Sequence, residues 1–245
     1  MICLMQCVNE EEYVQRVMDN ISSVFDEIIV IDGGSTDYTR EALMDYCQTN
    51  ISIHIHPWLD WYHDMNSIQR NIGLSYVPHG DVFYMHDFDE RLSPELAEFL
   101  TDEAKEFVES NDLDLVHVHR KTLDVIRYPD SPYAVMMEDG WPMEKSQIGQ
   151  YPDPQPRLIR RRPGMFWGNS PHHILYGVRN DFIAKPFDII HYEKNDARHR
   201  ERIEKKWARE QARRLHLGLT PDKFETKLKP EVAKYGDPEY WNENT

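Results

Sequence analysis

Three short apolar runs, each ending in a polar cluster, constrain this chain more than any other feature. Ile2 to Val8 ends in Asn9-Glu10, and Ile28-Ile29-Val30-Ile31 ends in Asp32-Gly33-Gly34-Ser35-Thr36-Asp37. Val82-Phe83-Tyr84-Met85 ends in His86-Asp87-Phe88-Asp89-Glu90. The second run is β-branched and apolar on both faces, the pattern of a parallel strand covered on both sides. Ile51, Ile53 and Ile55 alternate with Ser52, His54 and His56, a strand with one polar face. Leu113 to His119 reads as another strand. Helices fall between these runs. Asn9 to Ser22 puts Val14, Val17, Met18 and Ile21 on one face behind Glu10, Glu11 and Glu12, acids that suit the positive end of a helix. Thr39 to Cys47 and Ser67 to Tyr76 also read as helical. Ser93-Pro94-Glu95 supplies a cap, a proline at the first helical position and an acid, opening a helix that runs to about Val108. This alternation predicts a doubly wound parallel sheet. Ligands bind such sheets outside the carboxyl ends of the strands, so the three polar clusters are expected to meet at one edge.

The second half follows a different pattern. Pro129, Pro132, Pro142, Pro152, Pro154 and Pro156 interrupt any periodicity, which predicts an ordered loop or lid between Tyr128 and Pro156. Leu158-Ile159, Met165-Phe166-Trp167 and Ile189-Ile190 read as short strands. Ala197 to His216 reads as a charged helix, and Thr220-Pro221-Asp222 opens a last one. Cys3, Cys7 and Cys47 are too few and too scattered for a disulfide framework or a zinc site, so a reduced setting is expected. No run approaches the ~20 apolar residues that span a bilayer, and no signal peptide is visible.

Asp87 and Asp89 are the sharpest chemical feature. Two carboxylates two residues apart, just past a strand, can point to the same side. Hard oxygen ligands of this kind suit Mg²⁺ or Mn²⁺ held together with a substrate diphosphate. The plain alternative is a solvated acidic turn shared with Glu90 and Asp81. Asp32-Gly33-Gly34-Ser35 has neither the Lys-Ser/Thr of a P-loop nor the Gly-x-Gly-x-x-Gly of a dinucleotide site. Its leading Asp suits hydrogen bonds to a nucleoside better than a phosphate cradle. Arg70, in Gln69-Arg70-Asn71, is one of few cations in its half of the chain, and a guanidinium matches a diphosphate.

The runs "VNEEEYVQRVMDNISSVFDEIIVIDGGSTDYT", "SIQRNIGL" and "GDVFYMHDFDERLSPEL" together resemble the pattern of glycosyltransferase family 2, on the GT-A fold, and are closest to its short bacterial-type members. The resemblance implies a Rossmann-like, mostly parallel sheet flanked by helices, with a C-terminal acceptor-side extension. Residues 1–125 would form the nucleotide-sugar-binding half and 126–245 the acceptor-side half of one domain. It also implies that Asn9, Glu10 and Asp32 contact the nucleoside, that Arg70 lies near the diphosphate, and that Asp87 and Asp89 hold ribose and metal. The metal would be Mn²⁺ or Mg²⁺, and the carrier nucleotide UDP. His191, in a His-Tyr similar to one that follows the last strand in such enzymes, would complete the metal shell.

"PRLIRRRPGMFWGNSPHHIL" is similar to a family segment ending in His-Glu-x-Leu, with His173 in the place of the glutamate, after His172. His173 is one candidate for the base that takes the acceptor proton, because its ordinary pKa is near neutral. Asp139, in Glu138-Asp139, is the other. Trp141 and His172 are the candidate acceptor contacts. The expected reaction moves a sugar from a nucleotide donor to a hydroxyl of a saccharide or glycolipid, with inversion. A transferase acting on a modified DNA base and a nucleotide-sugar-binding protein without turnover are the alternatives. The expected setting is cytoplasmic or peripheral to a membrane. A nucleotidyltransferase would need a basic Gly-rich loop where the chain has Asn9-Glu10-Glu11-Glu12.

Charge sharpens the partner classes. The chain carries 28 basic and 43 acidic residues, a net −15 that argues against general coating by nucleic acid or anionic lipid. The deficit lies in residues 1–125, with 7 basic and 25 acidic side chains. Residues 157–214 hold 15 basic and 7 acidic, around Arg160-Arg161-Arg162 and Lys205-Lys206. That segment reads either as a basic patch facing an anionic acceptor or as ion pairs to the acidic half.

Overall fold

The structure, a computed structural model, describes residues 1–46, 51–58, 65–123, 153–168 and 174–192. The elements are β1 (Ile2–Cys7), α1 (Glu11–Ile21), β2 (Glu27–Asp32), α2 (Thr39–Asp45), β3 (Ile51–Ile55), α3 (Met65–Tyr76), β4 (Val82–Asp87) and β5 (Glu90–Leu92). They continue with α4 (Pro94–Asp102), α5 (Ala104–Ser110), β6 (Leu115–Leu123), β7 (Pro154–Arg160), β8 (Phe166–Gly168), β9 (Ile174–Tyr176) and β10 (Asp181–Tyr192).

Among the described residues, eight strands form one sheet in the order β3-β2-β1-β4-β7-β6-β10-β5. β1 pairs in parallel with β2 and β4, β2 with β3, and β6 with β10. Only β7 and β5 run the other way. The sheet is therefore mostly parallel, as the alternation of runs predicts. Strands from both halves of the sequence are interleaved in it.

Side chains alternate between two cores. On one face Cys3, Met5, Ile28, Val30, Val82 and Tyr84 pack under α1, α2, α4 and α5. Val14, Val17, Met18 and Ile21 of α1 are all buried there, as their spacing requires. On the other face Leu4, Ile29, Ile31, Phe83 and Ile159 pack under α3 and the β8–β9 hairpin. The helix expected from Ser93 to Val108 is two helices, broken at Glu103. Its start is as expected: the Ser93 side chain accepts the Leu96 N–H at 3.2 Å, and Pro94 follows it.

β7 departs most from expectation. A strand begins at Pro154, inside the stretch read as a loop, and lies between β4 and β6. Proline cannot donate to a sheet ladder and is confined to edges and bulges. Here Pro156 lies at a bulge. Val116 pairs with Leu158 and His117 with Pro156, which leaves Arg157 as an extra residue in β7. β4 pairs with β7 only as far as Leu158, so Pro156 meets no β4 partner.

The Arg160-Arg161-Arg162 triplet follows β7 to the amino ends of β4 and β6, the edge opposite the polar clusters. Arg162 Nε donates to Asp114 Oδ1 at 2.8 Å, and Arg160 pairs with Asp112. Arg179 binds Asp114 Oδ2 through both its backbone N–H and Nε, each at 3.0 Å. Arg161 donates to the Val77 carbonyl just past the end of α3, where a cation suits the helix dipole. The triplet is thus tied up in ion pairs and a helix end, and the basic-patch reading does not hold for it. Lys205 and Lys206 lie outside the described residues. No helix among the described residues is long and apolar enough to cross a membrane.

Two outcomes follow. Gly73 lets α3 approach the sheet closely, because a Cβ there would meet Leu4 Cδ1 at 2.7 Å and Ile31 Cγ1 at 3.2 Å. Gly73→Val should destabilise by about 1–3 kcal/mol in denaturant titration, the usual range for overpacking. Burial alone would raise the Asp114 carboxyl, but hydrogen bonds from Arg179 and Arg162 prevail and bring it down from 3.8 to about 2. A depressed folded pKa gives stability that is full above about 3.8 and is lost as the pH falls towards about 2. The stability gap between wild type and Asp114→Asn should therefore close over that interval, and a constant gap would refute the assignment.

Candidate active site

The strand order reverses between β1 and β4, and the carboxyl ends of these two strands flank the crevice where open α/β sheets bind ligands. The loops after β1 and β2 form one wall of it. Asn9 adopts a left-handed conformation, φ 57°, which asparagine tolerates better than most residues. From there it clamps the neighbouring loop. Its N–H donates to Ser35 Oγ at 2.9 Å, and its Oδ1 accepts the Thr36 N–H at 2.7 Å. Glu10 is buried and its N–H donates to Thr39 Oγ1 at 2.7 Å. Asp32 is fully buried. Its Oδ1 accepts from Ser35 N–H at 2.9 Å and Ser35 Oγ at 2.6 Å. Its Oδ2 has no hydrogen-bond partner among the described residues and faces Arg40 Nε at 3.6 Å. Gly33 keeps this loop close to β1, since a Cβ there would collide with Val8. The sequence brings Asn9, Glu10 and Asp32 together, as expected.

The other wall is the end of β4. Asp87 sits between two guanidiniums, Arg70 Nη2 at 3.6 Å from Oδ1 and Arg157 Nη2 at 2.8 Å from Oδ2. Burial would raise this carboxyl, but Arg157 and Arg70 outweigh it and hold it well below the usual carboxylate range. The Arg157 guanidinium also pairs with Glu90, which is fully buried. Burial disfavours charge on Arg157, yet Glu90 and Asp87 together push its pKa further up. The solvated acidic turn considered from the sequence is therefore not what forms.

α3 fixes this wall from one side with three consecutive residues. Gln69 Nε2 donates to the His56 carbonyl, holding the exit of β3. Arg70 lies over the Trp167 ring, 4.9 Å from its centre, a cation–π contact. Asn71 exchanges two hydrogen bonds with the backbone of Trp167, at 2.7 and 2.9 Å.

Asp89 and His191 complete the edge. β5 pairs with β10 so that Glu90 lies opposite His191, and Asp89 Oδ2 comes within 3.7 Å of His191 Nε2. Burial works against charge on the His191 ring, but the Asp89 carboxylate prevails and keeps its pKa above the ordinary value. The His191 Nδ1 is buried with no hydrogen-bond partner among the described residues. A carboxylate oxygen and an imidazole nitrogen side by side are donors that Mn²⁺ accepts. Among the described residues no third His, Cys, Asp or Glu joins them in a metal-binding group. Asp139, Trp141, His172 and His173 lie outside the described residues. Sequence spacing alone assigns no role to Arg157 or Glu90. The available signal is Pro156 beside a strand-like run, because sheets admit proline only at edges and bulges, and Arg157 follows it directly.

The edge thus joins a polar wall, a buried cation pair and a carboxylate–imidazole pair. A search of curated proteins finds no match. Among solved structures, a mannosyltransferase from Pyrobaculum calidifontis in complex with GDP-Man and Mn²⁺ is 14% identical, with a TM-score of 0.52. That match covers 96% of this chain and 69% of that one. Glucosyl-3-phosphoglycerate synthase from Mycobacterium tuberculosis, in complex with Mn²⁺, UDP-Glc and phosphoglyceric acid, is 20% identical with a TM-score of 0.36. The match covers 49% of this chain and 43% of that one, so the chain spans less than half the length of the synthase. The fold is that of GT-A glycosyltransferases. The sequence model of glycosyl transferase family 2 matches residues 3–176, well over half of the chain, and the chain belongs to that family of glycosyltransferases.

Proposed function

We propose that this glycosyltransferase moves a sugar from a nucleoside-diphosphate donor to an acceptor hydroxyl on a saccharide or glycolipid, with a divalent metal at Asp89 and His191. The observation that carries the reading is the meeting of Asp89 and His191, 3.7 Å apart, at the same strand edge as the buried Asp32. Asn9, Glu10 and Asp32 receive the nucleoside. Arg70 contributes positive charge beside the diphosphate, and Asp87 is held ready at the β4 end. The metal, when bound, would offset charge on the departing nucleoside diphosphate. UDP is the carrier proposed from the family resemblance, and inversion the stereochemical course. Asp139 or His173 takes the acceptor proton. The Arg160 to Arg162 pairings remove one of the reasons for considering a DNA acceptor.

A thermal-shift screen of UDP- and GDP-sugars with and without Mn²⁺ tests donor and metal together. One donor at 100 times its dissociation constant should stabilise the protein by about 2.7 kcal/mol, and chelation should remove the effect. Asp89→Ala should abolish both the metal-dependent shift and sugar transfer. An Asp89→Ala protein with full turnover would overturn the metal assignment.

A further inference from the structure

We propose that Arg157 is a positioning residue for the transfer reaction, holding both ends of the Asp87–Glu90 turn so that Asp89 is presented to His191. The inference rests on the metal reading of Asp89 and His191. Arg157 is 1% exposed and reaches no open surface, so it acts through other side chains. It is the extra residue of the β7 bulge and lies opposite no residue of β6 in the register. One guanidinium nitrogen then meets Asp87 at 2.8 Å, at the start of the turn, and Glu90 at its end.

The turn is closed from within as well. Glu90 Oε2 accepts the Asp87 N–H at 3.4 Å, and Phe88 is buried in the core beneath the turn. Glu90 is paired through β5 with His191. With Phe88 inside and both ends held, the remaining residue, Asp89, is directed at the imidazole. Arg157 thus connects three elements distant in sequence: β7, the end of β4 and β5. Asp87 keeps a second guanidinium in Arg70, whereas no other cation is paired with Glu90 among the described residues.

Removing Arg157 alone would strand buried carboxylates and could unfold the chain. The test therefore pairs Arg157→Met with Glu90→Gln, which removes the buried charge on both sides. The double variant should melt close to wild type. Without ligand, amide exchange over residues 87–90 should accelerate. The Mn²⁺ concentration for half-maximal binding of UDP or GDP should rise about 10- to 100-fold, the usual effect of losing a group that orients a metal ligand. Arg157→Lys should recover part of that loss. A folded double variant with unchanged exchange in the turn, or with an unchanged Mn²⁺ requirement, would overturn the proposal. A wild-type protein that binds neither nucleotide with Mn²⁺ would instead sink the function proposed above, while turn exchange would still show whether Arg157 holds the turn.

Discussion

A carboxylate cannot stay charged in a protein interior without a cation or several donors beside it, and this site is organised around that cost. Asp87 and Glu90 end β4 and begin β5 in a place that water does not reach freely. Arg157 answers both, from the position where β7 carries one residue more than its partner strand. That strand also joins the two parallel parts of the sheet, β3-β2-β1-β4 and β6-β10. The same short strand therefore completes the sheet and neutralises the site.

α3 performs a similar double service from the opposite face. Gln69, Arg70 and Asn71 are successive residues on a helix, so their side chains fan out about 100° apart. One meets the β3 exit, one the Asp87 carboxylate and the Trp167 ring, one the β8 backbone. Gly73, one turn further along the same helix, allows the close packing over Leu4 and Ile31 that keeps these three in reach.

Much of this was legible in the sequence where the signal is local. The buried stripe of α1, the Ser93 cap and the placing of Asn9, Asp32 and Asp87 past strand ends follow from spacing over a few residues. What was hidden depends on distant partners. Glu90 reads as one more surface acid until Arg157, 67 positions away, is set against it. Arg160 and Arg162 read either as a basic patch or as ion-paired residues, and only Asp112 and Asp114 alongside decide for the pairs. Pro154 and Pro156 conceal β7, because prolines lower strand propensity and only the pairing with β6 shows that a bulge absorbs one of them. β10 starts well before Ile189-Ile190, because Asp181, Phe182 and Ile183 already pair with Leu115, Val116 and His117 of β6.

The clamp made by Asn9 has an entropic consequence. Because its side chain and backbone already bind Ser35 and Thr36, the loops after β1 and β2 are joined before any ligand arrives. Ordering a free side chain or loop residue on binding costs roughly 0.5–1.5 kcal/mol each, and here that ordering is complete in the folded chain. A ligand settling against this wall meets a surface whose shape it does not have to create. Differences in affinity between ligands will then reflect the contacts they make there rather than the order they impose.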